Sequence, residues 1–156
     1  MATFAKLDEN NIVLDVLKVA DSDAPTEAAG ISFMQGVYGA STNWAQGYFS
    51  AEDPAGQADK RYNPPATGGY WDPTNQAFVN SKPYASWTLD ATYRWQAPVT
   101  EPAYDPEDAS IPFYMHSWDE PNQRWLSASG AGNDPIEGVG TYNLYWDPGT
   151  STWKDV

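Results

Sequence analysis

The 156-residue chain has no cysteine, one histidine (His116), and only eight basic residues against 21 acidic ones. Each shortage closes a class of function. Without cysteine there are no disulfides, no thiolate metal sites and no cysteine nucleophile. A single histidine cannot complete a zinc set. The net charge of −13 repels nucleic acid, and no three basic residues sit together to form the patch that such binding needs. An anionic membrane surface is disfavoured for the same reason. No apolar run approaches the roughly 20 residues of a membrane-spanning helix. Met1–Leu7 lacks a basic stretch leading into an apolar run, so no secretory signal is expected and synthesis is expected in a cytoplasm.

Catalytic patterns are scarce too. No serine lies in a Gly-x-Ser-x-Gly elbow. Gly130-Ala-Gly132 and Gly138-Val-Gly140 lack the basic residue and the following helix of a phosphate cradle. Asp21-Ser-Asp23 is not embedded in a calcium loop. His116 is expected to be a surface or hydrogen-bonded residue. The reading is a non-enzyme with no cofactor and no metal.

What is present is aromatic. Eight Trp and ten Tyr stand among 13 Pro and 12 Gly. Each large ring can bury about 150–250 Å², and this punctuation favours short strands and many turns. A mainly β fold follows, with an α+β N-terminal unit holding one short helix. Thr3–Leu7 and Ile12–Val19 read as a strand pair around the turn Asp8-Glu9-Asn10-Asn11. Glu27–Tyr38 reads as the helix, with Thr26 as N-cap and Gly39 as stop. Ile31, Met34 and Tyr38 form its apolar face, with Phe33 and Val37 beside it. Trp44–Tyr48 alternates like a strand, and residues 50–69 read as a loop.

From Tyr70 onward one pattern occurs four times: Trp71-Asp72 to Phe78, Leu89-Asp90 to Trp95, Trp118-Asp119 to Trp125, and Trp146-Asp147 to Trp153. The second copy is one residue shorter. Each aspartate can accept backbone N–H groups of the turn, and the turn returns the chain as a β-hairpin. The flanking rings then meet across the strands, a pairing of about 0.2–1 kcal/mol. The four aspartates share one position, which a structural role explains and a catalytic one does not. An isolated hairpin is marginal in water, so these must pack on a sheet, on each other or on a partner.

Residues 99–112 are rich in proline and acid and read as a linker. The expected organisation is a compact unit over 1–98, that linker, and an aromatic hairpin arm over 113–156. Most rings are expected to form the hairpin cores. Units this small leave some exposed, and aromatic anchors are enriched at protein interfaces. The candidate partner-binding residues are Tyr114, Trp118, Trp125, Tyr145, Trp146 and Trp153.

Two long segments resemble a known family. Ala5-Lys-Leu-Asp-Glu-Asn-Asn-Ile-Val-Leu-Asp-Val-Leu-Lys-Val19 is followed by Gly30-Ile-Ser-Phe-Met-Gln-Gly-Val-Tyr-Gly39 and Trp44-Ala-Gln46. Then come Tyr70 through Phe78, and Lys82-Pro-Tyr-Ala-Ser-Trp-Thr-Leu-Asp90 to Trp95. In this order they resemble small virion proteins of marine and cyanobacterial tailed phages, over roughly residues 1–98. A basic, glycine-containing segment usual in that family is represented here only by Lys60-Arg61-Tyr62.

The resemblance implies a virion structural protein: a capsid cement or decoration protein on the outer shell. Its implied partner is the major capsid protein. A homo-oligomer, a dimer or trimer at a symmetry axis, is expected in the particle, with no nucleic acid and no membrane bound. No functional residue is carried over from the family. The alternatives are a tail, baseplate or fibre-associated protein, and a carbohydrate-binding module that adsorbs to host surface glycans through stacked rings.

Overall fold

In the computed structural model, which describes residues 1–48, 58–103, 116–127 and 144–156, the chain is mainly β with several small antiparallel sheets and one α-helix. It divides into two units, Met1–Pro83 with Thr88–Trp95, and Tyr84–Trp87 with Gln96–Val156.

The first unit is organised by β1 (Ala2–Leu7), the central strand of a sheet in the order β2-β1-β3. Its neighbours are β2 (Val13–Val19) and β3 (Asn43–Gly47), both antiparallel to it. Successive side chains leave a strand on opposite faces, and both faces of this sheet are covered. Phe4 joins Val19, Ala24, Met34 and Trp44 in a core beneath helix α1 (Glu27–Tyr38). Ala5 and Leu7 join Val13 and Ala45 in a second core, closed by Trp71 and Phe78. Those two rings come from a hairpin of β4 (Tyr70–Asp72) and β5 (Ala77–Val79). Helix, sheet and hairpin therefore form three layers.

Helix α1 starts and stops where its capping residues place it. The Thr26 hydroxyl accepts the Ala29 N–H at 3.2 Å, and Gly39 takes a φ of 111° that suits glycine. Its packed face differs from the expected one. Gly30 and Met34 are buried and Ile31 packs partly buried against the same core, whereas Tyr38, expected on that face, is 48% exposed, and Phe33 and Val37 are 41% and 59% exposed. The reason is a close approach. A Cβ on Gly30 would stand 2.1 Å from Phe4 Cζ, so the helix touches the sheet at its glycine. That contact centres the buried stripe on Gly30, Ile31 and Met34 and turns Phe33 and Val37 outward.

The free edge of β3 is closed by side chains. The Gln46 N–H donates to Glu27 Oε1 at 2.9 Å, and the Gln46 carbonyl accepts from Arg61 Nη1. Arg61 also grips Glu27 in a fork, at 2.9 and 2.6 Å, and lies 4.6 Å from the Trp71 ring centre. Burial pushes the Glu27 carboxyl up. The Arg61 and Gln46 hydrogen bonds and the Arg61 charge outweigh it and hold the carboxyl below its usual range. Arg61 and Tyr62 have φ values of 60° and 64°, a costly conformation outside glycine. Hydrogen bonds hold it in place: the Arg61 carbonyl accepts from Phe78, and the buried Asn63 amide donates to Phe78, Thr92 and Tyr93 carbonyls.

All four expected hairpins form. Besides β4–β5 they are β6 (Thr88–Leu89) with β7 (Trp95–Gln96), β8 (Ser117–Asp119) with β9 (Arg124–Ser127), and β10 (Leu144–Asp147) with β11 (Thr152–Asp155). Each aspartate binds its own turn. Asp72 Oδ1 accepts from Thr74 and Asn75, Asp90 Oδ1 from Thr92 and Arg94, and Asp147 Oδ1 from Gly149. Each turn ends on a left-handed residue that is not glycine: Gln76, Tyr93, Gln123 and Ser151. The β1–β2 turn is a fifth instance. Asp8 Oδ1 accepts from Asn10 and Ile12, and Asn11 is left-handed. It matches the shorter copy step for step, because Asn11 donates to Asp8 O as Tyr93 donates to Asp90 O.

Of the stretch read as a linker, Val99–Ala103 belongs with the second unit. Residues 104–112 lie outside the described residues.

Candidate functional site

The second unit is built on one four-stranded antiparallel sheet in the order β11-β10-β9-β8. Register decides which side chains share a face. Trp118 stands opposite Trp125, Ser127 opposite Leu144, and Trp146 opposite Trp153. Two-residue alternation links these pairs along β9 and β10. One face of the sheet therefore carries four tryptophans in a row. The opposite face carries Asp119, Arg124, Leu126, Tyr145, Asp147 and Lys154.

The tryptophan face is unevenly covered. Trp118 and Trp125 are only 5% and 6% exposed. Their rings meet at 5.2 Å, and Trp87 packs edge-on to both at 6.2 and 5.9 Å. Their polar ends are engaged: Trp118 Nε1 donates to Glu120 and Trp125 Nε1 to the Val99 carbonyl, each at 2.8 Å. Glu120 also holds the Ser86 amide and hydroxyl, which ties the Tyr84–Trp87 segment to the turn of β8–β9. Trp87 Nε1 is buried and has no hydrogen-bond partner among the described residues.

Trp146 and Trp153 remain half-buried, with ring centres 5.4 Å apart. His116 packs tilted against Trp153 at 5.0 Å and its Nδ1 meets Glu101 Oε1 at 3.1 Å. This pins the strip Pro98–Ala103 beside the sheet. Between that strip and the β10–β11 turn lies an open groove of about 590 Å³, lined by Trp146, Pro148, Ser151 and residues 98–103.

The polar face is a charge ladder. Arg124 Nε is 3.0 Å from Asp119 Oδ2, and its guanidinium lies 4.6 Å from the Tyr145 ring centre. Lys154 bonds Asp147. The Asn122 amide, with Arg124 beyond it, keeps the Asp119 carboxyl below its usual range. Lys154, with the Gly149 N–H, lowers Asp147 further, to about 2.

The candidate residues thus separate by environment. Trp118 and Trp125, expected among the partner contacts, form the interior of the unit, because Trp87 and the Pro98–Ala103 strip complete a core around them. Trp146 and Trp153 keep accessible surface at the groove and at the edge strand β11. Tyr145 sits on the charged face, and Tyr114 lies outside the described residues. Trp87, Glu101 and Glu120 were not singled out by sequence reasoning. Little local marks them, since the contacts that give each its place reach residues 15 to 38 positions away. Compared with protein-family models, curated proteins and solved structures, the chain matches none.

Proposed function

We propose that this chain is a structural protein of a tailed-phage virion, a cement or decoration protein that binds the major capsid protein on the outer shell and steadies the head. The observation that carries this reading is the Trp146–Trp153 pair, only partly buried at the open end of a sheet whose other two tryptophans are buried. Half-buried rings in a rigid frame are the side chains that anchor protein interfaces. The resemblance of residues 1–98 to phage virion proteins supplies the setting. The charge of −13 suits the outside of a shell, away from packaged DNA. One ring pair is a modest anchor, and repetition over a symmetric shell multiplies it.

The test is the copy number of this chain in purified particles, relative to the major capsid protein, by quantitative mass spectrometry. A simple ratio to the shell subunit is the expected result. A dozen or fewer copies would move the chain to the tail or a vertex, and none would end the virion reading.

A further inference from the structure

We propose that the groove of the second unit binds a neutral saccharide, with Trp146 as its stacking platform and Glu101 as its hydrogen-bond acceptor. The proposal rests on the groove's own chemistry and needs no phage setting; because Trp146 is also the proposed capsid anchor, a saccharide and the capsid protein would compete for it.

A pyranose presents a flat patch of C–H groups and a rim of hydroxyls. It is held by an aromatic face, fixed in place, with short polar groups around it. The groove offers those parts. Trp146 lines it and packs against Trp153 at 62° and 5.4 Å, a contact that restrains the ring before a ligand arrives. Pro148 and Pro98 add apolar surface to the lining. Thr100, Glu101 and Ser151 add hydroxyls and a carboxylate to the lining. Glu101 Oε1 is oriented by His116 Nδ1 at 3.1 Å. A carboxylate has two oxygens and about four acceptor positions, so it can also take the adjacent hydroxyls of a sugar. The volume, about 590 Å³, lies in the ordinary range of small-ligand sites.

Charge selects within the class. Glu101 and a net charge of −13 disfavour sialylated or uronic sugars. A proline-rich peptide fits less well. Such ligands seat between aromatic ridges, whereas here one tryptophan faces prolines and short polar side chains.

The experiment titrates the full chain with maltose, cellobiose, lactose, chitobiose and sialyllactose, followed by tryptophan fluorescence, with decaproline run beside them. The expected result is a saturable change with at least one neutral disaccharide, at a Kd of about 1 mM. It should weaken at least about tenfold in Trp146→Ala and in Glu101→Gln, and stay unchanged in Tyr38→Ala, a ring of the first unit. Glu101→Gln is nearly isosteric, so its effect reads the site even if Trp146→Ala loosens the sheet. No saturation with any neutral sugar would overturn the proposal. So would equal affinity in both groove variants, preference for sialyllactose over lactose, or binding of decaproline alone.

Discussion

Replacing Gly30 by alanine sets two physical effects against each other. In an isolated helix the change is favourable by about 1 kcal/mol, because glycine has more backbone entropy to lose. In this fold the new methyl would meet the Phe4 ring at 2.1 and 2.6 Å and Ala24 Cβ at 3.0 Å. Phe4 is 0% exposed, and Val19, Met34 and Trp44 surround it, so the ring has no vacancy to enter. Overpacking a filled core costs about 1–3 kcal/mol, and contacts this short fall toward the upper end. The expected outcome for Gly30→Ala is a net loss of about 1–2 kcal/mol. That lowers the melting temperature of the first unit by about 4–8 °C per kcal/mol. Thermal unfolding by circular dichroism at 222 nm reads it, because α1 is the only α-helix among the described residues. Phe4→Leu in the Gly30→Ala background should recover part of the loss, and a double-mutant cycle isolates the coupling. A Gly30→Ala protein more stable than the wild type by about 1 kcal/mol, as helix propensity alone would give, would refute the close-approach argument.

Arg61→Ala should destabilise the first unit by about 2–3 kcal/mol in urea unfolding, since it leaves a partly buried Glu27 carboxylate unpaired. Arg61→Lys should not restore it, because an ammonium cannot reproduce the two-bond fork. Gln123→Gly should stabilise the second unit by about 0.5–1 kcal/mol in a thermal melt, by relieving a left-handed residue at φ 48°. Trp125→Ala should cost the second unit about 3–5 kcal/mol and leave the helix signal of the first in place. Loss of both together would show that the units do not hold separately. The Asp147 carboxyl is held down to about 2 in the folded chain, below an ordinary value of 3.8. The stability it contributes is therefore present above about 3.8 and is lost as pH falls through about 2. Carboxyl chemical shifts recorded through an acid titration should place its midpoint there, and Lys154→Ala should move that midpoint back up.

Local rules were legible in the sequence. Thr26 and Gly39 bounded the helix because capping is settled by atoms three or four residues apart. The Trp-Asp repeat announced its hairpins because an aspartate binds the amides of its own turn, and the spacing of the flanking rings then brings them together. The Asp8 turn belongs to the same class and was read as an ordinary turn, for want of an aromatic pair to flag it. The candidate site was legible only in part. Trp146 and Trp153 were named, but so were Trp118 and Trp125, which occupy the same place in the repeat.

What the sequence by itself determined is the set of helix ends, turns and ring pairs, all made by residues within about one hairpin of each other. The tertiary structure alone decided their environments. It placed Trp87 over one tryptophan pair and left the other beside a groove. It turned Phe33 and Val37 outward through one contact at Gly30. It closed the β3 edge with Glu27 and Arg61, 34 residues apart. Hydrogen bonds within a turn depend on neighbouring backbone, whereas burial depends on which distant segment arrives to exclude water. Repeats that share one local pattern carry no record of that.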